Sequence, residues 1–212
     1  MLRKLILALS FSSLAAFSGS VLAAAFDITD IEGRKVHFED QPKTFIVANY
    51  IANFMMVGGA ASLEKVVALT KDGWEDTRYG EYQVFTKSFP KMKDLPSIGG
   101  YHDDILNAEK ILSLHPDVLL IGRTQYAENS QRIKTFEKAG IKVVVLDYHA
   151  MTTVNHTLST EILGKLLGRE RIAEAQNKTY KEALDHVYST IVKLPDDQVG
   201  TKVYMELSLI HI

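Results

Sequence analysis

Four short apolar runs decide most of what this chain can become: "TFIVAN" from Thr44, "KVVALT" from Lys65, "PDVLLIG" from Pro116 and "KVVVLD" from Lys142. They are rich in β-branched residues and too short for helices. "VLLIG" and "VVVL" show no polar alternation, which marks strands covered on both faces. Between the runs lie stretches of helical period: "YIANFMMVGGA", closing at Gly58-Gly59, then Ile105 to Leu114, then Ser130 to Ala139, closed by Gly140. Apolar strands alternating with amphipathic helices predict an α/β fold, a parallel sheet with helices on both faces. Ahead of it, "FDITDIEGRKVHF" alternates around Glu32-Gly33 and predicts a hairpin.

Beyond the last run, "TTVNHTLSTEILGKLLG" is helical up to Gly168, and a longer helix runs from about Arg169 to Lys193. Its Ile172, Ala175, Ala183, Leu184, Val187 and Ile191 recur at helical spacing, with Tyr180 near the same stripe. "TKVYME" reads as the opening of a buried strand, and the chain ends at "LSLIHI". One back-translation of that hexapeptide, CTG TCT CTT ATA CAC ATC, matches a transposon end used in library preparation. The expectation is a reading frame that runs into adapter, with a natural protein that continues. The expected division is 1–25 signal peptide, 26–150 α/β lobe, 151–198 helical segment, 199–206 first strand of a second lobe, and 207–212 non-native tail. The segment Lys71 to His102 has no strand period and reads as a long functional or flexible loop.

Arg3 and Lys4, the apolar run Leu5 to Phe17 and the small residues Ala23–Ala25 have the three-part form of a cleavable secretory signal. The run is short for a spanning helix. The chain has no cysteine, which removes disulfides, thiolate metal sites and a cysteine nucleophile. The expected location is therefore the periplasm, without a lipid anchor and as a monomer. Lys and Arg number 24 against 26 Asp and Glu, without a basic stripe, so nucleic acid is disfavoured as a partner. An exported metal-dependent hydrolase finds little support, because no Gly-x-Ser-x-Gly elbow, phosphate loop or Gly-x-Gly-x-x-Gly fingerprint is present.

Hairpin, strand, helix and strand, followed by "GG…NAEKILSLHPDVLLIG", "FEKAGIKVVVLD" and one long helix, resemble the helical-backbone class of ABC-transporter substrate-binding proteins. That class carries iron-siderophore complexes, haem, cobalamin and similar metal chelates. The most specific element, Asn107-Ala108-Glu109-Lys110-Ile111 through Leu114-His115-Pro116-Asp117, matches the class signature N-x-E-x-I-x-x-L-x-P-D. The resemblance implies the N-terminal lobe of a bilobed binding protein, followed by an inter-lobe backbone helix, with the second lobe mostly missing. It also implies no catalysis, no covalent cofactor, an iron or other transition-metal chelate as ligand, and an inner-membrane permease with its ATPase as partners. Glu109 would dock an arginine of that permease.

Ligands of open α/β sheets sit beyond the C-terminal strand ends. Asn49 and Tyr50 follow the first run, Arg123, Thr124 and Tyr126 the third, and Tyr148 and His149 the fourth. In "IGGYHDDILNAEKI", Gly99 and Gly100 suit a tight turn, and Asp103 or Asp104 suits a helix cap. Tyr101 and His102 sit where the resemblance places ligand contacts, and imidazole makes His102 the candidate metal ligand. Arg123 could pair with carboxylate, catecholate or propionate oxygens. Trp74, Tyr79, Tyr82 and Phe85 could wall a flat ligand, or pin the long segment, as is expected of Phe85 and Phe89. Met55 and Met56 read as core. An alternative cargo is a bare transition-metal ion held by His102, His149 and carboxylates.

Overall fold

A computed structural model describes residues 25–150 and 152–195. The expected signal peptide, the expected strand at 199–206 and the tail at 207–212 lie outside the described residues.

The chain opens with the hairpin: β1 (Phe26–Thr29) pairs antiparallel with β2 (Lys35–Phe38), Phe26 opposite Phe38. The buried Asp30 carboxylate closes its turn by accepting the N–H groups of Glu32 and Arg34, and it also accepts that of Val145 across the fold. Then come β3 (Phe45–Val47), α1 (Ile51–Gly58), a 3-10 turn (Ala60–Lys65) and β4 (Val66–Leu69). β5 (Val118–Gly122) and β6 (Lys142–Leu146) complete a four-stranded parallel sheet of order β4-β3-β5-β6.

Period-two alternation sorts the strand side chains into two cores. Phe45, Val47, Val118, Leu120, Val144 and Leu146 face α1, α8 (Thr153–Leu167) and the hairpin. Ile46, Ala48, Leu119, Ile121, Val143 and Val145 face α5 (Ala108–Leu114) and α7 (Ser130–Lys138), meeting Ile111, Ile133 and Phe136. Phe136 is completely buried, which contributes about 1.5–3 kcal/mol. The expected sheet, with helices on both faces, is the one observed.

Three expectations change. The segment from Lys71 is helical, as α2 (Asp72–Asp76), α3 (Tyr79–Ser88) and α4 (Lys91–Asp94). Tyr82 and Phe85 share one face of α3 and, with Phe89 just past its end, pack on the core, a period hidden by the polar residues between them. Next, α5 begins three residues later than expected, capped by the Asn107 side chain accepting the N–H of Lys110 at 3.0 Å, not by Asp103 or Asp104. Leu106 pairs back with Gly99 in a β-bridge, and Asp104 between them is left-handed at φ 58°, so these residues form a closed loop and not a first helical turn. Met56, read as core, is exposed, while Met55 is buried.

The last helix, α9 (Glu170–Ile191), has the predicted length, but among the described residues its stripe is not covered. Only Ala173 and Asn177 are buried along it, while Ile172, Val187 and Ile191 are exposed. No helix among the described residues is long and apolar enough to cross a membrane.

Candidate functional site

The site is built on the C-terminal ends of β3, β5 and β6. Directly after β5 the chain turns into α6 (Arg123–Glu128), so Arg123 and Tyr126 stand on a short helix at the strand end. Gln125 organises this end of the sheet. It is buried; its Oε1 accepts the N–H of Gly122 at 3.1 Å, and its Nε2 donates to Ala48 O at 3.2 Å and Gly100 O at 3.1 Å. One side chain thus ties the ends of β3 and β5 to the glycine turn. Gly100 has φ +85°, and a Cβ there would meet Leu106 at 2.6 Å, so glycine is required. Asn129 holds the same turn from below, accepting from Leu106 N and donating to Asp104 O.

Tyr50 stands at the centre. It precedes α1 with φ 64°, a left-handed conformation that costs a bulky residue energy and points to a constrained site. Its ring meets Tyr148 and His149 edge-on, each with centroids 5.1 Å away. Burial raises the Tyr50 phenol above its ordinary value, against a lowering from the backbone N–H of Tyr148. At neutral pH it is therefore a hydrogen-bond donor and not a phenolate.

Tyr50 and His149 separate two hollows. One, of about 200 Å3, is lined by Asn49, Thr70, Trp74, Arg78, Glu81 and Tyr101 besides that pair. The other, of about 610 Å3, is lined by Glu32, Arg123, Thr124, Tyr126 and Asp147. Trp74 lines the cleft although it is only 6% exposed, with Tyr82 and Phe85 packed edge-on against it. Tyr101 lies so close over Gly73 that a Cβ there would sit 1.9 Å from its ring, so α2 and the glycine turn assemble as one wall.

Six of the eight expected ligand contacts, Asn49, Tyr50, Trp74, Tyr101, Arg123 and Tyr126, line this divided cleft. Two do not. Tyr148 turns inward, its hydroxyl 3.1 Å from Thr160 Oγ1 on α8, and burial pushes its phenol up to about 12. The neighbouring His149, in the bend that follows β6, takes the cleft position instead. His102 is exposed and lines neither hollow; its ring rests edge-on against Tyr101 at 5.2 Å. No three His, Asp or Glu residues come together to hold a metal ion among the described residues. Glu109 is exposed on the first turn of α5. Arg123 is already engaged, its Nε donating to Glu32 Oε1 at 2.6 Å, and the Glu32 carboxylate raises it above its ordinary value.

Sequence reasoning missed Arg78, Glu81, Gln125 and Glu32. Gln125 had a usable signal, a polar residue in the first turn after a buried strand. Glu32 lies 91 residues from Arg123, and nothing local announces that pairing.

The periplasmic binding protein family matches residues 40–212. The chain belongs to that family. It is 26% identical over 182 residues to YvrC of Bacillus subtilis (strain 168), an uncharacterized ABC transporter substrate-binding lipoprotein, covering 85% of this chain and 52% of that one. Among solved structures it resembles the TroA-like periplasmic binding protein FepB from Veillonella parvula, with TM-score 0.71, 25% identity, and coverage of 80% and 50%. It has the fold of MolA of Haemophilus influenzae, solved bound to molybdate, with TM-score 0.66, 16% identity, and coverage of 82% and 56%. The chain spans about half the length of these relatives. Its architecture is thus that of a family of substrate-binding proteins. The expectation of an unanchored protein finds no support in YvrC, which is named as a lipoprotein.

Proposed function

We propose that this chain is the ligand-facing N-terminal half of the binding component of an ABC importer. It captures a metal chelate, such as an iron-siderophore, haem or cobalamin, in the periplasm and presents it to the permease and its ATPase. The observation that carries this reading is the cleft at the strand ends, where Tyr50, Trp74 and Tyr101 offer aromatic surface beside His149. Aromatic edges and neutral phenol donors suit a ligand with an apolar or flat organic body. A bare ion would want deprotonated or imidazole ligands converging on one point, and the raised Tyr50 phenol resists becoming one of them.

Metal content, native mass and visible spectrum of the whole binding component, both halves together and purified without chelators, test the reading; this half alone should bind weakly or not at all. A metal with an organic mass, and a charge-transfer or Soret band, supports it. Metal without an organic partner favours the bare-ion alternative. Copurified or added molybdate, bound stoichiometrically, points to an oxyanion of the kind seen with MolA. Glu109 is proposed as the permease contact. Glu109→Arg should remove stimulation of the transporter ATPase and leave ligand binding unchanged; unchanged stimulation removes that role.

A further inference from the structure

The two hollows of the cleft differ in charge. Beside α6, Arg123 faces two carboxylates: Glu32 Oε1 at 2.6 Å from its Nε, and Asp147 Oδ2 at 3.7 Å from its Nη1. The Asp147 side chain is 4% exposed and held by the N–H groups of His149 and Ala150 and by Asn155 Nδ2. An anion arriving there meets a cation already balanced, beside a buried carboxylate that cannot turn away. Beside Trp74 the lining cation is Arg78, whose only carboxylate neighbour in that hollow is Glu81. That pair is 3.7 Å apart and open to solvent, with 65% and 44% of the side chains exposed, so a ligand can separate it at little cost.

We propose that Arg78, and not Arg123, recognises the anionic group of the ligand. Arg123 acts as a strut, tying the hairpin turn through Glu32 to the end of β6 through Asp147. The inference rests on the chelate-binding reading and narrows it. The preferred ligand has an apolar or aromatic body, taken by Tyr50, Trp74 and Tyr101, and an exposed carboxylate or phenolate oxygen at the edge that meets Arg78. Arg78 directly precedes α3, whose packing face is Tyr82 and Phe85. Replacing Arg78 therefore leaves that face in place.

The test uses the whole binding component, with haemin as an anionic flat chelate, its dimethyl ester as the neutral counterpart, and ferric citrate as a compact anionic complex. Arg78→Gln should weaken haemin binding about tenfold or more, as loss of a charged hydrogen bond does, and abolish the preference for haemin over the ester. Arg123→Gln should change haemin affinity less than about threefold while speeding amide exchange at Ile31, whose N–H bonds Val145 O. An equal or larger loss in Arg123→Gln overturns the inference, as does a haemin preference that survives Arg78→Gln. Equal wild-type affinity for haemin and ester also overturns it but leaves the chelate reading standing. Binding of none of the three probes overturns the inference, while the metal content and native mass described above decide the chelate reading separately.

Discussion

Two neighbouring helices, α8 and α9, make their stability in different ways. α8 has 15 residues and buries seven of them, among them Ile162, Leu163 and Leu166, against the sheet. α9 has 22 residues and buries only Ala173 and Asn177, both where it crosses α8. The crossing is close: a Cβ on Gly164 would lie 2.6 Å from Ala173 Cβ. The first helix is held by tertiary packing. The second owes its first half to that crossing and its second half mainly to its own backbone and side-chain spacing. An amphipathic stripe in a sequence therefore says which face is available for burial, not that the chain in hand buries it.

The comparison breaks most easily at Leu163. Leu163→Ala, at a site with no exposed surface, should cost about 2–5 kcal/mol in urea unfolding, and a loss below 1 kcal/mol would mean that α8 is not the packed partner. Gly164→Ala should cost about 1–3 kcal/mol by forcing the helices apart. A neutral result there would place the crossing elsewhere. Ile191→Ser, on the open half of α9, should stay within about 0.5 kcal/mol. If it costs as much as Leu163→Ala, that stripe is covered in solution.

The smallest effect is pH-dependent and belongs to the contact between the helices. His156 on α8 stacks on Tyr180 of α9 with centroids 4.0 Å apart, and burial lowers its pKa below the ordinary 6.5. The unfolded chain then binds the proton more readily, so this contribution is intact above about pH 6.5 and is lost as pH falls toward the lowered folded value. His156→Phe should flatten the wild-type decline in stability below pH 6.5; an unchanged slope would place the titration elsewhere. Amide exchange should also be slowest in α8 and fastest in the second half of α9.

Much of this was legible in the sequence because it is local. The hairpin around Glu32-Gly33, the uninterrupted runs "VLLIG" and "VVVL", the end of α8 at Gly168 and the length of α9 follow from alternation, helical period and positive φ, all properties of a few adjacent residues. The cleft positions Asn49, Tyr50, Arg123 and Tyr126 followed from a topological rule about strand ends. Where Tyr148 points could not be read the same way, since Thr160 on α8 provides its hydrogen-bond partner.

The sequence by itself determined the α/β class, the two-faced sheet and the loops that could carry a site, because the strand and helix periods are written into consecutive residues. Only the tertiary structure decided which side chains face the cleft, that Arg123 is taken by Glu32 and Arg78 left accessible, and that the stripe of α9 lies open. Charge pairing and burial depend on distances between residues that are remote in the chain, and sequence spacing does not encode those distances.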